Sequence, residues 1–379
     1  MTSAAHTISA RRGLLFACLL SALPTLGWPS VPPPMAVEAF VMGLPKAELH
    51  IHFEGTIEPE HYLELIERNG LERRYPDADA VRQRLEHARD LDTFIEVYEE
   101  LLSVMHTADD FEAVAMAYFE RVAAQGTVYV EMFFDPQMHT YRGIDLETVM
   151  AGLAAARDRA AAELALEVWF IACFNRDRSA ESALAHLEAI RPWSDIIIGV
   201  GLDNPEEIGF PEKFAGVFRR AGELGFRLTT HLDVNVPNTL AHHWGALEVL
   251  NVERFDHGLN TLDDPELIAE VKARGIGLTA CPTLLYRDIP GRLEARLGAI
   301  RRLLEHGVII SIHSDDPGLM RSLYIGDLYL LAHVEGGFGR EEILALVRNG
   351  FRTAWIDDDR RRALLAAVDE FAEAHPADF

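Results

Sequence analysis

The sequence predicts a (β/α)8 barrel, the TIM barrel, of the α/β class, and three observations carry that prediction. From Ala47 onward, short β-branched or apolar runs alternate with amphipathic helical stretches. Eight such runs occur, most of them separated by a helix, which is the rhythm of a parallel sheet closed on itself. Residue types that ligate metals stand where several of these runs end, on the face where such barrels keep their active sites.

The first run, "AELHIHF" (47–53), closes on two histidines. Side chains alternate along a strand, so His50 and His52 share a face and Ile51 points away. An all-helical insertion (56–126) follows, rich in Glu and Arg at i, i+3 and i+4, and is expected to cover the barrel mouth. The pattern then resumes with "TVYVEMFF" (127–134) and a helix over 145–163. "LALEVWFIAC" (164–173) precedes a helix over 178–191, and "DIIIGVGL" (195–202) one over 211–225. "FRLTTHLD" (226–233) leads to 239–250, and "VERFDHG" (252–258) to 264–274, where Asp264-Pro265 forms an N-cap and first-turn pair. "GIGLTAC" (275–281), a helix over 292–306 and "GVIISIHSD" (307–315) complete the eight, and 340–375 reads as terminal helices packed outside. No internal repeat is visible.

Bulk properties narrow the function. A chain of 379 residues with 49% hydrophobic content can bury a large core. Its formal net charge of −25 argues against nucleic acid or an acidic membrane as partner, because both would repel it. Three widely spaced cysteines (Cys18, Cys173, Cys281) give neither a disulfide framework nor a metal knuckle; the latter two sit in apolar runs and read as core. Residues 1–34 read as a leader. Arg11 and Arg12 before an apolar segment imitate a twin-arginine export signal, but no small-x-small cleavage site follows. Met35 offers a natural start, so we expect a cytoplasmic protein with one domain over 35–379, export through the leader being the alternative. No later apolar run is long enough to span a bilayer.

His231 closes the fifth strand, His257 the sixth, and Asp315 with Asp316 the eighth. Taken singly, a histidine near a strand end is a hydrogen-bonded structural residue and "DDP" a helix start. Together, at four strand ends, they predict a metal site. Imidazoles with one carboxylate suit Zn²⁺, with Fe²⁺ or Mn²⁺ as alternatives. No lysine lies near the end of the fourth strand to supply a bridging group, so one metal is expected. His242 and His243 are expected on the solvated start of a helix, and His313 inside the eighth strand.

These residues carry a resemblance. "LPKAELHIHFEGT", "VYVEMFFDPQMHTYRGI", "GVGLDNPE", "VERFDHGL" and "SDDP" make the chain, from Pro45 to about Trp355, similar to the adenosine/adenine deaminase family of the amidohydrolase superfamily. "HFEG" and "EMFFDPQMH" look closest to its adenine deaminase branch. The resemblance implies one Zn²⁺ held by His50, His52, His231 and Asp315, with His257 orienting a water activated by that metal. It further implies that Asp316 contacts a purine and that Glu54 lies where a ribose would extend, which disfavours nucleosides. Asp203 and Glu206, after the fourth strand, are candidates for the N3 and N9 side of the purine, or else cap the next helix; Asp135 is expected to brace the mouth. The reaction implied is hydrolytic deamination of adenine or an N6-substituted adenine. The acidic charge and the missing H-x-E…P-C-x-x-C pattern argue against polynucleotide deamination.

One departure stands out. The family's strand-five pattern is His-Ala-Gly-Glu, whose glutamate carries protons; this chain has His231-Leu232-Asp233-Val234. Valine moves no proton. The loop to His257 also looks about two residues longer than the family pattern, and "CPTLLYR" replaces Cys-Pro-x-Ser-Asn. Three readings remain open. Asp233 substitutes as general acid/base: in an extended strand it shares the face of His231, roughly 6.6 Å further toward the mouth. Alternatively, the barrel hydrolyses another ring amide or amine needing no such shuttle, or it is a silent purine-binding homologue. Asp233 as a helix N-cap is the bland alternative.

Overall fold

The computed structural model describes residues 36–87, 91–233, 239–282, 291–319 and 323–379. The leader, Val234 and most of "CPTLLYR" lie outside the described residues. The eight strands are β1 (Lys46–His52), β2 (Thr127–Phe134), β3 (Glu167–Asn175), β4 (Ile197–Asp203), β5 (Arg227–Leu232), β6 (Arg254–His257), β7 (Gly277–Ala280) and β8 (Ile309–Ile312). Each pairs in parallel with the next, in chain order. The two ends of the series meet through a parallel bridge between Ile51 and Asp315. There the His52 amide donates to the Asp315 carbonyl at 3.0 Å, and the Asp315 amide to the His50 carbonyl at 2.9 Å. The predicted (β/α)8 barrel is the observed fold.

Local chemistry explains the boundaries. All seven residues of β1 are buried, as a strand inside a ring of helices requires. The Asp264 side chain accepts from the Glu266 amide at 2.9 Å with Pro265 as first helical residue, and Gly275, at φ +69°, ends that helix. The insertion forms helices Pro59–Arg68, Ala78–Glu86, Leu91–Leu102 and Ala108–Ala124. β8 is shorter than the expected 307–315: regular pairing stops at Ile312, and Asp315 turns into a left-handed conformation at φ +64°. Three helices escaped prediction, Val37–Gly43, Pro136–Thr140 and Ile325–Val334. The last is apolar nearly throughout, so it carries no amphipathic stripe to read. No described helix is long and apolar enough to cross a membrane.

A polar layer lies inside the barrel on the strands that carry the site. Arg254 donates to Glu131 at 2.5 Å and lies 3.3 Å from Asp256. Glu131 also accepts from Tyr129 at 2.8 Å and from the Trp355 amide at 2.6 Å. Asp256 in turn accepts from Thr229 at 2.6 Å and from Thr279 at 2.9 Å. A fully buried guanidinium is tolerable because two carboxylates neutralise it and the Trp355 ring lies 4.1 Å from its carbon.

Candidate metal centre

The side chains of His50, His52, His231 and Asp315 converge. His50 Nε2 and His52 Nε2 lie 3.5 and 3.6 Å from the same atom, Asp315 Oδ1. His52 Nε2 and His231 Nε2 are 3.0 Å apart. Ligands at about 2.0–2.1 Å around a tetrahedral zinc stand about 3.3 Å from one another, so these separations match the edges of such a site.

The rings are turned correctly for it. His50 Nδ1 lies 3.1 Å from the Thr279 carbonyl and His231 Nδ1 3.0 Å from the Leu202 carbonyl. A carbonyl only accepts, so each Nδ1 carries the proton and each Nε2 offers a lone pair to the centre. His50 Nε2 is buried without a hydrogen-bond partner among the described residues. Burial, and then the neighbouring imidazoles, push His231 well below the ordinary histidine range, toward the neutral ligand form. Burial alone would raise Asp315, but His50, His257 and His52 hold its carboxyl far below the usual range. The donor set fits a divalent cation. His257 borders it, with Nε2 3.9 Å from Asp315 Oδ2 and Nδ1 unpartnered. Cys281, read from sequence as core, is buried; its sulfur also lies within 4.8 Å of ligating atoms of His50, His257 and Asp315.

Around this centre the remaining candidates take definite places. Asp203 Oδ2 is 3.8 Å from His52 Nδ1 and has no hydrogen-bond partner; Asn175 bridges Asp203 Oδ1 and Asp135 Oδ2 at 3.1 Å each. Asp316 Oδ1 is buried and unpartnered, packed against Gly55, where any Cβ would collide with it. Glu54 is fully buried and accepts from the Asp135 amide and from His139 Nε2, both at 2.8 Å, while the Tyr98 hydroxyl approaches at 3.5 Å. Tyr98 thus brings the helical insertion down to the strand ends. Glu206 pairs with His242 Nδ1 at 2.6 Å.

Two expectations need correction. His242 and His243 do begin a helix, Leu240–Glu248, but both are buried, held by Glu206 and by the Thr239 carbonyl. β5 does not stay extended to Asp233: it ends at Leu232, and Asp233 turns left-handed at φ +66°. The carboxylate of Asp233 consequently accepts from the Thr239 hydroxyl and, at 2.8 Å, from the Asn260 amide, with His243 Nε2 at 3.5 Å. His139 was given no role of its own, although it closes the "EMFFDPQMH" stretch that carries part of the resemblance.

The adenosine deaminase family profile matches residues 45–371. The chain belongs to that family. It is 37% identical to an adenine deaminase of Caulobacter vibrioides, over 90% of this chain and 98% of the relative. With an uncharacterised deaminase of Schizosaccharomyces pombe it shares 41%, over 89% and 99%. Among solved structures, an adenine deaminase from Arthrobacter aurescens superposes with a TM-score of 0.80 at 34% identity, covering 87% and 99%. An amidohydrolase from Burkholderia ambifaria with bound zinc gives 0.81 at 26%, covering 91% and 96%.

Proposed function

We propose that this chain is a metal-dependent hydrolytic deaminase of a purine base, adenine or an N6-substituted adenine, with one zinc ion. The single observation that carries the reading is the approach of His50 and His52 Nε2 to Asp315 Oδ1 at 3.5 and 3.6 Å, with His231 Nε2 3.0 Å from His52 Nε2. Kinship with adenine deaminases supplies the substrate class.

A divalent cation held by His50, His52, His231 and Asp315 would lower the pKa of a water to about 7. The chain's own residues do the rest. His257, its Nδ1 unpartnered, orients the attacking water. Water adds oxygen to C6 and the C6–N6 bond breaks; of the two protons that water loses, one stays on N1 of the 6-oxopurine and the other leaves on the amine. One of those protons must first reach N1. Asp233 is the carboxylate we assign to that transfer. Burial alone would raise its pKa, but His243, Thr239 and Asn260 lower it and keep the carboxylate ionised. Asp316, Asp203, Glu206 and Glu54 are assigned to the purine or to the groups that surround it.

The test is metal analysis together with formation of hypoxanthine from adenine and N6-alkyladenines and of inosine from adenosine. Metal with hypoxanthine from the bases supports the reading. Metal without hypoxanthine points to another ring substrate, and neither points to a silent binding protein.

A further inference from the structure

Arg176 is among the largest side chains buried completely, and it lies directly after β3. Its described guanidinium hydrogen bonds all go to main-chain carbonyls. Nε donates to Asp203 O at 2.9 Å and to Asn204 O at 3.1 Å, Nη1 to His231 O at 2.5 Å, and Nη2 to Asn204 O. The Phe210 ring lies 4.9 Å from its carbon. Asn204 is left-handed at φ +64°, which lets two successive carbonyls face the same cation.

Its place in the sheet gives this fork a purpose. Between β4 and β5 the registered pairs are Gly199 with Arg227 and Val200 with Leu228, at the starts of the strands. Beyond them, toward the site, main-chain pairing stops. Two side chains bridge the gap: His231 Nδ1 reaches Leu202 O, and Arg176 ties Asp203 O to His231 O. On its other side β5 is paired with β6 up to Leu232. Relative to β4, His231 is held by its own contact with Leu202 O and by the Arg176 guanidinium on its carbonyl.

We propose that Arg176 is a positioning residue for the metal centre, fixing His231 and Asp203 against each other where the sheet opens. This rests on the reading of His231 as a metal ligand. A planar fork spans two strands; a lysine ammonium is a point donor and cannot hold both carbonyls in the same geometry.

The test compares wild type, Arg176→Lys, Arg176→Gln and, as a stability control, Lys46→Met. Lys46 is equally buried but donates to Val41 O at 2.5 Å and Leu44 O at 2.7 Å, away from the site. Zn²⁺ affinity is measured by chelator competition, and the visible bands of the Co²⁺-substituted proteins are recorded. Both Arg176 variants are expected to lose about ten- to a hundredfold in metal affinity, as ligand-orienting groups do, and to shift the Co²⁺ bands. Lys46→Met is expected to lose thermal stability with affinity and bands unchanged. The proposal is overturned if a folded Arg176 variant keeps wild-type affinity and bands, or if Lys46→Met loses affinity equally. Wild-type protein that takes up neither ion would instead refute the metal reading itself.

Discussion

His50 Nε2 and Asp315 Oδ1 face each other at 3.5 Å across the seam that closes the barrel. Asp315 serves twice there: its carboxylate faces the imidazoles of His50, His52 and His257, while its amide and carbonyl join β1. The two roles separate by substitution. Asparagine tolerates the left-handed backbone at φ +64° and keeps the main-chain bridge, but it is a neutral, weaker ligand. Asp315→Asn should stay within about 1 kcal/mol of wild-type stability. It should also lose turnover about a thousandfold, the equivalent of several kcal/mol at about 1.36 per decade. Urea unfolding and steady-state assays check both.

Asp233→Asn addresses the proton carrier. The amide keeps the acceptor for the Thr239 hydroxyl, gives up the one for the Asn260 amide, and suits the left-handed φ. Loss of general acid/base function is expected to lower kcat by about 10² to 10⁴, with metal content unchanged. Turnover within threefold of wild type would remove Asp233 from the mechanism.

Glu54 joins three segments: the end of β1, the turn at Asp135 and the insertion through Tyr98. Its replacement by alanine leaves the Asp135 amide and His139 buried without their acceptor. Glu54→Ala should cost about 2–4 kcal/mol of unfolding free energy, read as a lower urea midpoint. A change confined to KM, with no loss of stability, would place Glu54 against substrate alone.

Asp110 gives the insertion an acid-sensitive anchor. Burial works against its charge, but the amides of His106 (3.0 Å) and Thr107 (2.9 Å) and the Asn69 side chain (2.9 Å) hold its pKa below 3.8. A depressed carboxylate contributes stability in full above its unfolded pKa and loses it as pH falls through the folded value. The wild type should thus lose stability below about pH 3.8 more steeply than Asp110→Asn. Thermal melts between pH 3 and 7 test this; parallel curves would contradict it.

The barrel was legible because its signals are local and periodic. Eight β-rich runs separated by helices need no long-range knowledge, and alternation alone aimed His50 and His52 the same way. Strand ends then gathered His231 and Asp315. What escaped depends on tertiary placement. No pattern announces that Arg176 will reach two strand ends, that His139 will seek Glu54, or that His242 and His243 will be buried by acids from neighbouring loops. Asp233 shows the same limit: the extended geometry it was given held only to Leu232, where a backbone turn redirected the carboxylate.

The most direct measurement strips the protein with chelator, titrates Zn²⁺ back, and follows bound metal and hypoxanthine formation from adenine together. The account predicts one tightly bound ion per chain and activity rising in proportion until that site is full. A folded protein that takes up no divalent cation, or one that deaminates adenine fully before any is added, would contradict it.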